Sequence, residues 1–314
     1  MAAILCFYLL LRKGNAIADD ITPPMRLRRW AAAFFGVTAL GHLWWILFCV
    51  FSNDIRSWSY VVVVVLDCVT VLITVPGTLL SMLQDRKRPI WPIAAATIPT
   101  VILGGLQIAR PGTDFLTPAL IYSLAFYVFF TIYMFVAVGQ YRRWLLDNYA
   151  DLEHKEVWLS HLLLIMSLLA IATYGFTNDG PSIFLLRIAD FVLFGLLLWR
   201  VETLPQLEVG TKHEEDSLPD PETVKGVTPV SQPQTLYSSN IEELLAERCV
   251  NTQLYLQHDL TLVQLSAAVG INRFYLSKYF SSQGMNYNAY INNLRINHFV
   301  SLYREGVASQ HTFT

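Results

Sequence analysis

Apolar residues fall in long runs over the first two-thirds of the chain and in short periodic clusters over the last third. Six runs reach the length of about 20 residues that a helix needs to cross a hydrocarbon core of about 30 Å. They are Trp30–Phe51, Trp58–Leu83, Ile90–Ile108, Phe115–Val138, Val157–Phe176 and Ser182–Val201. Lipid offers backbone groups no hydrogen-bond partner, so repeated runs of this kind predict a helical bundle. A seventh run, Ala2–Leu11, is half as long. Its bases Arg12 and Lys13 follow the apolar stretch, which is the wrong order for a signal peptide. It is read as the inner half of a first span whose start is missing or mis-assigned, the alternative being an interfacial stub.

After Val201 the pattern changes. Residues 202–236 carry Pro205, Pro219, Pro221, Pro229 and Pro233, seven acids and two bases. This composition predicts a solvated tether, with an end-to-end reach of about 30–35 Å for a flexible chain of that length. From 237 helical periodicity returns. Ile241, Leu244 and Leu245 repeat at i, i+3, i+4 behind the cap candidate Asn240. Thr261 is placed to cap a helix ending near Val269, with Gly270 in a tight turn. Asn272 caps a helix from Arg273 to about Ser281, and Gly284 and Asn286 separate it from a longer helix through Tyr303. Ser266, Gly270 and Leu276 have the spacing of a helix-turn-helix: a small residue at the crossing, a turn glycine and an apolar anchor. The chain is therefore expected to be all-α, a polytopic bundle of six spans plus a partial first over 1–201, a linker over 202–236, and a helix-turn-helix domain over 237–314.

Composition agrees with a membrane protein. The 314 residues are 54% hydrophobic and only 15% charged, with a formal charge of −2, which excludes a disordered chain and a highly charged nucleic-acid wrapper. Charge distribution adds orientation. Arg12, Lys13, Arg26, Arg28, Arg29, Arg86, Lys87, Arg88, Arg142, Arg143 and Lys155 lie in alternate short loops, against Arg56 and Arg110 in the others. By the positive-inside rule the first set and the C-terminal domain are cytoplasmic, in the inner membrane if the cell is bacterial. Trp30, Trp58, Trp91, Trp158 and Trp199 sit where interfacial anchors belong.

From Leu260 through Arg304 there are four bases, Arg273, Lys278, Arg295 and Arg304, and no acid. A one-signed segment of this kind suits DNA. Leu260–Ile296, LTLVQLSAAVGINRFYLSKYFSSQGMNYNAYINNLRI, resembles the first helix-turn-helix of the AraC family of bacterial transcription regulators. The resemblance is carried by the LT-L start, the small-xxx-Gly turn, N-x-x-YLS-x-x-F, G-M-N and YIN-x-LRI. The topology as a whole resembles membrane-bound members of that family. Ser266 stands where the family usually has Ala, and Phe299 where its RIxxA pattern ends. The family carries a second helix-turn-helix, so the chain is expected to be cut before that unit. The resemblance places Phe274, Ser277 and Lys278 at base-contacting positions in the major groove, behind the cap Asn272. Arg273 and Arg295 are expected to touch phosphate. The expected partners are promoter DNA, the lipid bilayer, a second copy of the chain, and a small-molecule or membrane signal.

Within the spans, Asp67, Arg187 and Asp190 are candidates for sensing that signal, because charges at a helix centre usually face an interior or cavity. The competing reading pairs Arg187 with Asp190, or lets Arg187 snorkel to the nearby outer surface, and gives Asp67 a partner on another helix. His42 and His161 are isolated and read as packing residues. Cys6, Cys49, Cys68 and Cys249 form no CxxC pair, and no nucleophile–base set, P-loop or zinc motif occurs. No metal, cofactor or enzymatic activity is expected. The alternative functions are a transporter or membrane enzyme with a regulatory tail, and a structural protein whose tail binds protein.

Overall fold

A computed structural model describes residues 1–12, 14–18, 21–51, 54, 57–152, 155, 162, 180–207 and 234–304. Helices dominate, and among the described residues the only strand-like pairing is one antiparallel bridge, Tyr149 with Thr261. The chain divides into two compact units: unit 1 holds residues 1–141 and 154–207, and unit 2 holds 142–153 and 208–314.

Unit 1 contains α1 (Ala2–Leu11), α2 (Met25–Phe51), α3 (Trp58–Met82), α4 (Trp91–Ala96), α5 (Ile98–Ala109), most of α6 (Leu116–Asn148) and α7 (Gly180–Thr203). Four helical stretches among the described residues are long and apolar enough to cross a membrane: α2, α3, Trp91–Ala109 and α6. The expected run Ile90–Ile108 is broken in two at Thr97. Pro99 explains the break, since it lacks an N–H and its ring crowds the carbonyl four residues earlier. Helix α6 outlasts its apolar run by ten residues. Its 33 residues span about 50 Å at helical rise, well beyond the hydrocarbon thickness. The run Ser182–Val201 lies inside α7, whereas Val157–Phe176 lies outside the described residues apart from residue 162.

The helices of unit 1 approach closely where small residues allow it. A Cβ on Gly104 would stand 2.4 Å from Val65 Cγ2, and one on Gly77 would meet the Trp30 indole at 2.3 Å. Trp30 thus packs across α3, while Trp58 and Trp91 are exposed. Phe194 of α7 meets the rings of Phe34 and Phe35 edge-on at 6.0 and 5.4 Å. Buried Arg28 brackets the C-terminal end of α1, donating to the carbonyls of Leu9 and Arg12. This supplies the cation that favours a helix C-terminus.

Residues 202–207, which composition assigns to the linker, pack on unit 1. Glu202 is fully buried and accepts from the Ala16 and Ile17 N–H groups. Gln84 donates to Pro205 O and accepts from Leu207 N–H, both at 2.9 Å. Residues 202–207 are therefore part of unit 1. Prolines and acids in this stretch signal the absence of a span; they do not forbid packing through side-chain hydrogen bonds.

Unit 2 contains α8 (Gln234–Leu245), which continues as a π-turn over Ala246–Val250, then a short 3₁₀ turn (Leu254–Leu256), α9 (Leu262–Val269), α10 (Arg273–Ser282) and α11 (Tyr287–Arg304). Helix α8 is already formed at Gln234, so Asn240 lies inside it and is not its cap. The core gathers Ile241, Leu245, Cys249, Tyr255, Leu260, Leu262, Leu265, Val269, Leu276, Phe280, Tyr287 and Ile291, together with Ala150, two residues beyond α6.

Candidate nucleic-acid interface

The local signals in 260–304 act as their chemistry requires. Thr261 Oγ1 accepts from Gln264 N–H while the Gln264 side chain accepts from Thr261 N–H, closing a capping box on α9. Gly270 ends α9 with φ +77° and donates its N–H to Ser266 O. That left-handed φ costs any residue with a Cβ. Ser266 serves the turn directly: its hydroxyl donates to Ile271 O at 2.6 Å. Arg248 reaches the same turn, donating to Val269 O at 3.0 Å. Asn272 Oδ1 accepts from Phe274 N–H and caps α10. Gly284 (φ +70°) and Asn286, whose Oδ1 accepts from Ala289 N–H, separate α10 from α11.

Helix α10 is two-faced. Leu276 and Phe280 are buried, and Phe280 meets the Tyr290 ring at 4.8 Å. Asn272, Arg273, Phe274 and Lys278 are exposed and Ser277 is half-buried. Phe274 is 65% exposed, a large outlay of apolar ring in water on an otherwise polar face. Its one ring neighbour among the described residues is Tyr275, at 5.6 Å. The structure thus brings the five α10 candidates to one end and one face of a single helix.

Arg295 is placed elsewhere. Its guanidinium donates to Tyr255 O and Gln257 O, both at 2.7 Å, and to the Asp151 carboxylate at 2.5 Å. It also reaches Asn292 Oδ1 at 3.4 Å, so its guanidinium brackets four acceptors inside unit 2. Asp151 was missed by sequence reasoning, as were Asn288 and Asn292, which donate to Tyr149 O and Ala150 O. Asn288, Asn292 and Arg295 fall at i, i+4, i+7 and so share one face of α11; that polar stripe was the available signal. Asp151, His258 and Asp259 bring three ligand-type side chains together. Both Asp151 oxygens already accept from Arg295, so a cation already sits on that carboxylate.

Among the span candidates, Asp67 of α3 is clasped by α2: the Trp44 indole donates to Oδ1 at 2.8 Å and the Trp45 indole to Oδ2. Gly41 leaves room for the carboxylate, since a Cβ there would stand 3.3 Å from Oδ1. Asp190 is half-buried on α7. Arg187 lies on the same helix, its side chain outside the described residues, as is His161. His42 Nδ1 hydrogen-bonds Thr38 O one turn back on α2.

Compared with protein-family models, with characterised proteins and with solved structures, the chain matches none.

Proposed function

We propose that the chain is a membrane-embedded transcription regulator, with a bundle of six spans, in a bacterial inner membrane. Its C-terminal unit faces the cytoplasm and inserts α10 into the major groove of promoter DNA. The observation that carries this reading is the α9–turn–α10 pair. A capping box, a left-handed glycine and an Asn cap fix two short helices. Together they leave Arg273, Phe274, Ser277 and Lys278 on the outer side of α10 while Leu276 and Phe280 anchor its inner side. Lys278 suits guanine O6 and N7, and Phe274 suits a thymine methyl. The resemblance of Leu260–Ile296 to the AraC family supports the same assignment. The basic loops support the orientation. Asp67, clasped by two indoles, is a candidate for coupling signals through α2 and α3. Dimerisation of the bundle would raise the local concentration of paired DNA-binding units without new contacts.

The test is selection of DNA from a random duplex library by the full chain in lipid nanodiscs. A recovered consensus, with Lys278→Ala and Phe274→Ala each weakening binding to it by about 5- to 150-fold, is the expected result, equivalent to about 1–3 kcal/mol per lost base contact. Failure to enrich any sequence overturns the reading.

A further inference from the structure

The most heavily bonded polar cluster in unit 2 lies away from α10, at residues 149–151. These three residues follow α6 directly in the chain; Tyr149 stays tied to α6 through its N–H to Leu145 O at 2.9 Å and its ring against Trp144, while the bonds below reach residues more than 100 positions away. Ala150 N–H donates to Leu260 O at 3.1 Å, pairing Tyr149 with Thr261 as in an antiparallel ladder. Ala150 is 2% exposed and belongs to the hydrophobic core of unit 2. Asn288 Nδ2 donates to Ala150 O at 2.6 Å and to Tyr149 O at 3.2 Å, and Asn292 Nδ2 to Ala150 O at 3.3 Å. Asp151 closes the set: its carboxylate accepts from Arg295 and from the Asp259 N–H at 2.7 Å. Backbone, small side chain and carboxylate are thus each read by a separate group, as in recognition of an extended peptide by strand pairing.

We propose that Tyr149–Asp151 is an intramolecular docking peptide, and that the face formed by Leu260, Asn288, Asn292 and Arg295 is its receptor. The peptide anchors the DNA-binding unit to the end of α6 without covering the recognition face. The second half of this statement rests on the DNA-binding reading above; the first does not. The chain passes between the two units three times, at 141/142, 153/154 and 207/208, and helix α6 runs unbroken through the first of these crossings to Asn148, directly before the docking peptide. None of Phe274, Ser277 and Lys278 bonds the peptide, so docking leaves base contacts open.

Disulfide trapping in native membranes tests the docking. Opposed residues of an antiparallel pair have Cα atoms about 4.5–5.5 Å apart, inside the window of about 4.4–6.8 Å that a disulfide accepts. Tyr149→Cys with Thr261→Cys is introduced into the full chain with its four native cysteines replaced by Ala, and a protease site is placed within 212–230. After oxidation and cleavage, the expected chain stays in one piece without reductant and falls into two with it. Asp151→Lys and Ala150→Trp each lower the trapping rate at least fivefold. Trapping no faster than in those two variants overturns the proposal. Hydrogen exchange at the Ala150 amide of the unaltered chain gives a reading independent of cysteines: protection is expected, and exchange at the rate of an open loop overturns it. DNA selection by the trapped chain separates the two claims. Loss of a consensus that the untrapped chain retains overturns anchoring without occlusion. If neither form selects DNA, the DNA-binding reading fails while the trapped docking peptide stands.

Discussion

The two units differ in how much large apolar surface they leave outside. In unit 1 large apolar residues stand on the outside: Phe129 is 72% exposed and Phe51 81%. In unit 2 Leu260, Leu265, Leu276 and Ile291 are fully buried. Water cannot cover the first surface cheaply, since burial is worth about 25 cal/mol per Å². Lipid can, and lipid tails are as apolar as leucine. Unit 1 therefore gains little from apolar contact between helices. It relies on close approach, at Gly77 and Gly104, and on polar clasps such as Asp67 with Trp44 and Trp45. Unit 2 relies on its core. One chain thus holds two folding economies, and the average composition describes neither.

The largest expected effect separates them directly. Phe280→Ala empties the centre of the unit 2 core and should cost about 3–5 kcal/mol. Phe129→Ala, on the outer face of α6, should change stability by less than about 0.5 kcal/mol. Pulse proteolysis of the full chain in nanodiscs, with fragments assigned to each unit, reads both. Equal losses would break the comparison. Next in size is Asp67→Ala, which leaves two indole N–H groups without an acceptor in an apolar setting. A loss of about 1–3 kcal/mol is expected, seen as a lower thermal midpoint of the nanodisc-embedded chain. Asp67→Asn keeps one acceptor oxygen and should lose less. An Asp67→Ala chain as stable as the parent would remove the clasp from the account. Smaller again is Gly270→Ala, about 1–2 kcal/mol for a Cβ at left-handed φ. It should destabilise unit 2 alone, in the same proteolysis assay.

These sizes track how readable each feature is from sequence. Helix ends in 260–304 are written in adjacent residues: Thr261 with Gln264, Gly270, Asn272, Gly284 and Asn286. Predicted ends near Val269 and Ser281 meet observed ends at Val269 and Ser282. Caps are local, so they survive reading without a fold. Apolar runs announce membrane helices for the same reason, although they understate α6, whose last ten residues are helical and polar-bearing. The docking of Tyr149–Asp151 is not legible. Its partners lie more than 100 residues away, and Ala and Asn carry no fixed preference for one another. Arg295 shows the cost. Read as a local charge in a basic segment, it looks like a phosphate contact; an acid 144 residues distant claims it. Glu202 is the same lesson in unit 1. Its acidic, proline-bearing neighbourhood reads as solvated, while two backbone N–H groups near residue 16 hold it buried.

The smallest effect is also the most specific to residues 149–151. Burial pushes the Asp151 carboxyl up, but hydrogen bonds from Arg295 and the Asp259 N–H, with the charges of Arg295 and His258, outweigh it and hold it below the ordinary carboxylate range. A depressed folded-state value means that the undocked, solvated form binds a proton more readily. The ionised contact therefore contributes fully above the unfolded value of about 3.9 and is lost as pH falls through the lower, docked value. Protection of the Ala150 amide from exchange, corrected for the intrinsic pH dependence of the chemistry, should be level from pH 7 to about pH 5 and decline below about pH 4. Asp151→Asn should begin with weaker protection and show no such decline. Phe280→Ala, which weakens the unit through its core, should lower protection at every pH and keep the acid-dependent step. A wild-type profile that declines instead between pH 7 and pH 6 would assign the step to a group other than Asp151. The docking contact would then owe its strength to the Asn288 and Asn292 bonds and the buried Ala150 methyl, not to charge.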